Sequence, residues 1–572
     1  MGDSRATGDG RRATGDGRRA TVLLAARSAV ALYRLLDTLP ALSGDDRITR
    51  LFTLVPGSEF GADALAAIEE AGGRTVPWDE ACARSYDLIL TASPKGDLHL
   101  LRGKHVLLPH GAGYNKSIPG EGGSDSASGL DPVYLSRAEP DAAPIVLHAV
   151  AHPDQVTRLA AVDPRAADRA TVVGDPTLER LLASRALRDS YRAALGTGPR
   201  RLVVLVSTWG PESLLRRNPD LPARLAAELP YDEYQLALVV HPNEHSRLGR
   251  YELAERLAPA LGAGLVLAGP REEWASVLIA ADALITDHGS SALYYCAVED
   301  RPVISAGGGG AELIPGSPMD SLLSRVPRLA GAEALAETLA AYRPGTGREA
   351  ARAAFAHQGR ALHRLRTELY ALLGLTPPAR SSPARLLPAP RPPDRVPTAF
   401  DVDAEITAEG VRIARRPAHL GPPGHHLAVE HGAASERLAR SAGLLYRRPL
   451  PTPPGRAALS WTSDGWARHA LSAYPGCRTA VAVLPSGLCL LRTRGLARAY
   501  VFQVEPRGEG GRVARADPAA AASAVHAWLL DQRSRPARSQ SAAPTRLTCV
   551  IGGRAFGVLL RPATSEEAVE SF

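Results

Sequence analysis

Two consecutive parallel α/β units, each Rossmann-like, followed by a smaller α+β domain, are the architecture this sequence predicts. Three observations carry it. Short apolar runs alternate with helical periodicities from Thr21 to Leu375, the pattern of strands crossed over by helices in a parallel sheet. Several of those runs end in small polar or glycine-rich turns, where open α/β sheets place their ligands. A proline-rich stretch at 376–397 then separates this series from residues with strand-like alternation, such as Phe400, Val402, Ala404 and Ile406.

In chain order, residues 1–20 contain a tandem heptapeptide, RATGDGR, too rich in Gly, Arg and Asp to bury a core and expected to be disordered. The first unit spans 21–180. Its strands are Val22–Ala26, Leu51–Val55, Asp87–Thr91, His105–Pro109 and Ala170–Val173, with helices at Ala29–Leu39 and Ala62–Ala71. Residues 119–130 are Gly/Ser/Asp-rich and read as a mobile loop. A helix over 177–195 bridges to the second unit, 181–375. There the strands are Leu202–Val206, Leu236–Val240, Gly264–Leu267, Ala283–Thr286 and Pro302–Ser305, with helices at 220–229, 249–261, 272–281 and a long closing helix at 349–374. Paired units with a cleft between them follow. Beyond the linker, residues 398–572 read as a separate α+β domain with hairpins around Ser486-Gly487 and Gly552-Gly553 and a helix at 517–531. Its sequence gives no function.

Composition narrows the function classes. The chain has 572 residues, 45% of them hydrophobic, enough for several cores. Its net charge of +7 suits an acidic ligand or an anionic membrane surface, while the absence of aromatic-basic interleaving argues against nucleic acid. Five scattered cysteines imply neither a disulfide framework nor a metal site, and no cofactor motif occurs. No apolar run reaches the roughly 18 residues of a membrane span, and charged Arg27 and Arg34 interrupt the early apolar stretch, unlike a cleavable signal. The expected location is the cytoplasm, with peripheral contact at the inner membrane face as an added option.

Four polar clusters at strand ends carry the chemistry. They are His110-Gly111-Ala112-Gly113-Tyr114-Asn115-Lys116, Ser207-Thr208-Trp209, His241-Pro242-Asn243-Glu244-His245 and Asp287-His288-Gly289-Ser290-Ser291. In the last, a strand, a small polar turn and a helix start put free N–H groups and two hydroxyls where a phosphate could sit. The plain alternative is a helix capped by Asp287 or Ser290. His110, beside glycines that admit a substrate, is suited to serve as a general base.

The order and spacing of these clusters resemble the CDP-glycerol glycerophosphotransferase family, the teichoic-acid glycerol-phosphate primases and polymerases of GT-B fold. That family carries an H-G-T/G-x-x-K-like element in its acceptor-side domain, then T-W, H-P and T-D-Y-S-S elements on the nucleotide side. The resemblance implies that His110 is the base and that His241 holds a donor phosphate or assists the leaving group. It makes Gly111, Gly113, Lys116, Thr208, Trp209, Asp287, Gly289, Ser290 and Ser291 substrate-binding residues. It implies a nucleotide diphosphate donor like CDP-glycerol, a polyol or lipid-linked saccharide acceptor, and no metal. Three positions depart from the family: Ala112 stands where Thr is usual, Gly289 replaces a serine, and Tyr294 stands where an acid would suit a ribose diol. They keep two alternatives open. One is a UDP-sugar epimerase-like enzyme on the same fold, although Tyr294-Tyr295 does not supply the pair of acids usual there. The other is a degenerate scaffold with a binding or regulatory role.

Overall fold

The structure of the chain, a computed structural model, describes residues 18–57, 61–108, 111–117, 145–449, 460–534 and 544–571. The tail up to residue 17, His110 and the loop 119–130 lie outside the described residues.

In the first unit, β1 (Ala20–Ala26), β2 (Ile48–Leu54), β3 (Leu88–Thr91), β4 (His105–Leu107), β5 (Ile145–Val150) and β6 (Ala170–Val172) form one sheet, ordered β2-β1-β3-β4-β5-β6. In the second, β7 (Arg201–Ser207), β8 (Tyr234–Val240), β9 (Val266–Leu267), β10 (Ala283–Thr286) and β11 (Val303–Ser305) are ordered β11-β10-β7-β8-β9. Every pairing in both sheets is parallel. Leu202 to Val206 are at most 2% exposed, so both faces of β7 are covered, which is why such strands read as unbroken apolar runs. The strand order reverses between β1 and β3 and again between β7 and β10. Those are the switch points at which ligands enter.

The connections are more broken than their periodicity suggests. The bridging helix is Pro176–Ser184, then a 3₁₀ turn Arg185–Leu187, then Arg188–Ala194. The closing helix divides into Thr346–Ala354 and Ala361–Leu373, because His357 and Gly359 adopt positive φ (49° and 77°) between them. Its second half packs back on the first unit as expected: Leu362, Leu365, Leu369 and Leu373 share a core with Val22, Leu24 and Leu147.

Residues 376–397 contain no helix or strand, as their prolines dictate, yet they are bound along their length. The Arg47 guanidinium donates to the Thr376 carbonyl (2.7 Å), Arg180 Nε to that of Arg385 (2.9 Å), and the Tyr191 hydroxyl to that of Leu387 (2.7 Å). Arg391 pairs with Glu273 (2.6 Å). The segment is a strap across both units rather than a free linker.

The C-terminal region, expected as a separate α+β domain, is built around a closed barrel that its hairpins alone do not announce. Its strands are β12 (Ala399–Ile406), β13 (Val411–Pro417), β14 (His426–Glu430), β15 (Leu444–Arg447), β16 (Thr479–Val483), β17 (Cys489–Thr493), β18 (Tyr500–Val504), β19 (Arg507–Glu509), β20 (Arg512–Ala514), β21 (Thr545–Ile551) and β22 (Arg554–Pro562). All but β19 and β20, which form a separate ribbon, close into a barrel ordered β12-β13-β21-β22-β18-β17-β16-β15-β14. One face of the strands packs on the helix Pro518–Ser534, whose Ala519 to Ala522 are at most 1% exposed. Four consecutive buried positions require enclosure on every side, and alanine is small enough to allow it. The other face packs on the helix Ser463–Ala473 through Trp466 and Ala470. His426, which reads as a surface residue in its Gly/Pro-rich setting, stands edge-on to His526 at 4.6 Å between ring centres. Among the described residues no helix is long and apolar enough to cross a membrane.

Candidate functional site

Asp287 ends β10 at the switch point of the second sheet, and its carboxylate holds that point together. Oδ2 accepts from the backbone N–H groups of Thr208 and Leu214, both at 2.8 Å, and Oδ1 accepts from Gly289 at 2.9 Å. The residue is 1% exposed. Burial raises its pKa, against the opposing pull of His288 and of the three N–H groups. Gly289 is needed for closeness: a Cβ there would lie 3.1 Å from Asp287 Oδ1 and 3.2 Å from Thr208 Cβ. Asp287 therefore fixes the turn from behind rather than lining the cavity in front of it.

The helix Ser291–Val298 starts at this turn, and neither serine is spent on capping it. The hydroxyls of Ser290 and Ser291 have no hydrogen-bond partner among the described residues, nor do their backbone N–H groups. That is the donor set of an anion site at a helix N-terminus.

The first unit brings its glycine-rich loop to the same place. A Cβ on Gly111 would lie 3.4 Å from Ser290 Oγ, so the backbone next to His110 abuts the serine turn of the other unit. The loop is tied down by Asn115, whose Nδ2 donates to the Ala112 carbonyl (2.7 Å) and whose Oδ1 accepts from the Met319 N–H (3.1 Å). Ser117 N–H donates to the Glu312 carbonyl (2.9 Å) and Ile314 N–H to that of Asn115 (2.9 Å), stitching the loop to the second unit. Lys116 is engaged by protein: Nζ pairs with Glu312 (2.8 Å), donates to the Trp209 carbonyl and lies 4.5 Å from the centre of the Trp209 ring. The same Glu312 carboxylate meets His288 Nε2 at 2.9 Å.

Between the units lies a cavity of about 310 Å³, bounded by the carboxyl ends of strands from both sheets. Of the expected site residues, Gly111, Gly113, Lys116, Thr208, Trp209, His241, Gly289, Ser290 and Ser291 line it; Asp287 does not. The His241 ring Nδ1 accepts from the Asn243 N–H (3.1 Å), so that ring also caps the helix Pro242–Arg256. In its neutral form the proton then sits on Nε2.

The cavity also contains residues that strand-end reasoning misses. His148 lies on β5 and is 3% exposed, its pKa held down to about 4 by burial and by Arg169. Arg27 and Ser28 follow β1 at the first switch point. There a strand, a serine and a helix start repeat the Ser290 pattern and were the available signal. Arg34 projects from the helix Ala29–Thr38, and no local motif marks it. With Arg34, Lys95, Lys116, Arg180 and Arg271 beside Arg27, the lining holds six cations against two carboxylates, Asp37 and Glu272. Low-dielectric walls concentrate such a field on an anion. Among the described residues no group of three or more His, Cys, Asp or Glu could hold a metal ion.

No protein-family model matches the sequence, and no curated protein matches it either. Solved structures do resemble it. The wall teichoic acid polymerase TagF is similar with a TM-score of 0.44 and 12% identity, over 62% of this chain and 89% of that one. Anabaena Alr3699/HepE, in complex with UDP and glucose, is similar with a TM-score of 0.38 and 15% identity, over 62% of this chain and 100% of its own. S. aureus MnaA with UDP gives 0.40 and 11%, over 64% of this chain and 99% of its own.

Proposed function

We propose that the chain is a transferase that moves a polyol-phosphate group, glycerol-phosphate-like, from a nucleotide diphosphate donor to an acceptor hydroxyl. The single observation that carries this reading is the approach of Gly111 to Ser290, which brings the loop of His110 against unspent N–H and hydroxyl donors across a cationic cavity. A scaffold without ligand chemistry has no use for such a cavity or for polar groups left unpaired in it.

In this reading the acceptor oxygen attacks the distal phosphorus of the donor. A P–O bond forms, the phosphoanhydride breaks, and the nucleoside monophosphate leaves with the electron pair. His110 takes the proton from the attacking hydroxyl. Ser290, Ser291 and their N–H groups bear the charge gathering on the phosphoryl oxygens, and His241 Nε2 steadies the leaving phosphate. The acceptor is a polyol or a lipid-linked saccharide, reached from the inner face of the membrane.

A thermal-shift screen against CDP-, UDP- and GDP-linked donors identifies the donor, since a ligand at 100 times its Kd stabilises by about 2.7 kcal/mol. With it in hand, His110→Ala is expected to lower turnover by about 100- to 10,000-fold while donor affinity by calorimetry stays near that of the wild type. Ser290→Ala with Ser291→Ala should weaken both affinity and rate, because those groups touch phosphate before and during reaction. Full turnover in His110→Ala would remove the base from the scheme.

A further inference from the structure

Every described carboxylate in or directly behind the cavity is already engaged by the protein. Asp37 accepts from the Thr177 hydroxyl (2.6 Å) and from Arg180 Nη1 (3.0 Å), and Arg180 Nη2 takes Glu272 at 2.6 Å. Tyr294 donates its hydroxyl to Asp175 Oδ2 (2.7 Å), while Asp175 Oδ1 accepts from the Leu178 N–H (2.8 Å). Asp287 holds three backbone N–H groups, and Glu312 lies between Lys116 and His288.

Three donor nitrogens of the lining are in the opposite condition, although their side chains have other partners. Arg27 Nε, Arg34 Nη1 and Arg271 Nε are buried with no hydrogen-bond partner among the described residues, and all three residues line the cavity. Arg34 is mounted for such a role. Its guanidinium lies 5.0 Å from the centre of the Tyr294 ring, and that ring is itself wedged between Trp274 (5.7 Å) and Phe355 (4.9 Å). A buried donor without an acceptor is costly, so the ligand that completes this site brings acceptor atoms.

We infer that this cleft reads its nucleotide through acceptor atoms alone. Arg34 and Arg271 bind anionic or carbonyl oxygens of a nucleoside diphosphate, and none of the described carboxylates reads the ribose hydroxyls. The inference rests on the nucleotide reading above and specifies it further. A site built around a hydroxyl strongly rejects the analogue that lacks it, because its own polar group is left unpaired. Among the described residues no carboxylate is left waiting for such a hydroxyl, so removal of the 2′- and 3′-hydroxyls costs little.

The experiment titrates the full-length wild-type chain calorimetrically with UDP, CDP and GDP, then with the 2′-deoxy and 2′,3′-dideoxy counterparts of whichever binds. Dideoxy affinity within about threefold of the ribonucleotide is expected; any larger loss overturns the inference and leaves the nucleotide reading standing. If none of the three ribonucleotides binds, both fall. A second arm compares Arg34→Met and Arg271→Met. Each should weaken ribo- and deoxynucleotide alike by about tenfold or more, with the melting temperature as the control for folding. Arg271 lies nearer the rim, paired with Glu70 at 2.9 Å, so its variant remains informative if Arg34→Met unfolds. Unchanged affinity in a folded Arg34→Met, or in Arg271→Met, overturns the role given to that arginine.

Discussion

Asp287 shows how one side chain can define a site it does not touch. Its two oxygens collect N–H groups from the ends of β10 and β7 and from Leu214, so the switch-point crevice keeps its shape without a ligand. Asn at this position would keep one acceptor oxygen and turn an NH2 group toward an N–H donor. Asp287→Asn should therefore lose about 2 kcal/mol or more of stability, the cost of charge-assisted bonds replaced by a buried clash of donors. Urea denaturation measures it, and a loss below about 0.5 kcal/mol would show that the three bonds are dispensable. Much of this turn was legible in the sequence, since a buried strand ending in Asp-His-Gly-Ser-Ser announces both a crevice and a helix start. What was not legible is the division of labour within it. Carboxylate and hydroxyls are alike in a sequence as polar residues near a phosphate site, and only the fold shows that Thr208 and Leu214 consume the carboxylate. Tyr294 departs from the family's pattern, and its partner Asp175 is 119 residues away with nothing local to point to it.

Among the elements, the strap 376–397 separates composition from contact. Prolines predict that it forms no helix or strand, and that holds. They also suggest a flexible tether, and here tertiary bonds prevail: Arg180 alone reaches the carbonyls of Arg385 and Leu386, and Leu387 is buried at the cavity wall with its N–H on Ser184 Oγ (2.9 Å). The donors are arginine and tyrosine side chains far away in sequence, which no reading of the segment itself can supply. Brief trypsin digestion of the wild type should accordingly leave the bond after Arg385 uncut while the fold is intact. Arg180→Ala frees both carbonyls and should make the bond after Arg385 cleavable, seen as a fragment by mass spectrometry. Equal cleavage of the two proteins would mean that these bonds do not hold the strap. The hairpins β16–β17 and β21–β22 were legible from their turns. The closure of the barrel was not, because it depends on the parallel pairing of β13 with β21, residues such as Val411 and Cys549 that only the finished fold brings together.

At the scale of the whole molecule, the barrel is fixed to the second unit through a buried charge. Arg415 on β13 is 1% exposed and makes two bonds to Asp232 between the units' elements, at 2.8 and 2.6 Å, while a further bond of 3.0 Å reaches Asp517. Arg448 joins Asp517 at 2.8 Å and also pairs with Glu430. The Tyr231 N–H donates to the Arg415 carbonyl (2.8 Å), so backbone and side chain dock together. Removing one partner from a buried ion pair leaves the other charge stranded, typically at about 3 to 5 kcal/mol. Burial works to raise the Asp517 pKa, but Arg415 and Arg448 outweigh it and hold the carboxyl down to about 2, against an ordinary value of 3.8. The sign follows from that depression. The folded protein releases this proton more readily than the unfolded chain, so the stabilisation is complete above the ordinary value and is lost as pH falls from about 4 through about 2. Asp517→Asn should thus be less stable than the wild type near neutral pH, and the gap should close across that acid window, because the wild-type residue becomes uncharged there too. Guanidinium unfolding of both proteins at a series of pH values reads the gap directly. A difference that stayed constant through the window would show that the charge on Asp517 does not stabilise the network around Arg415.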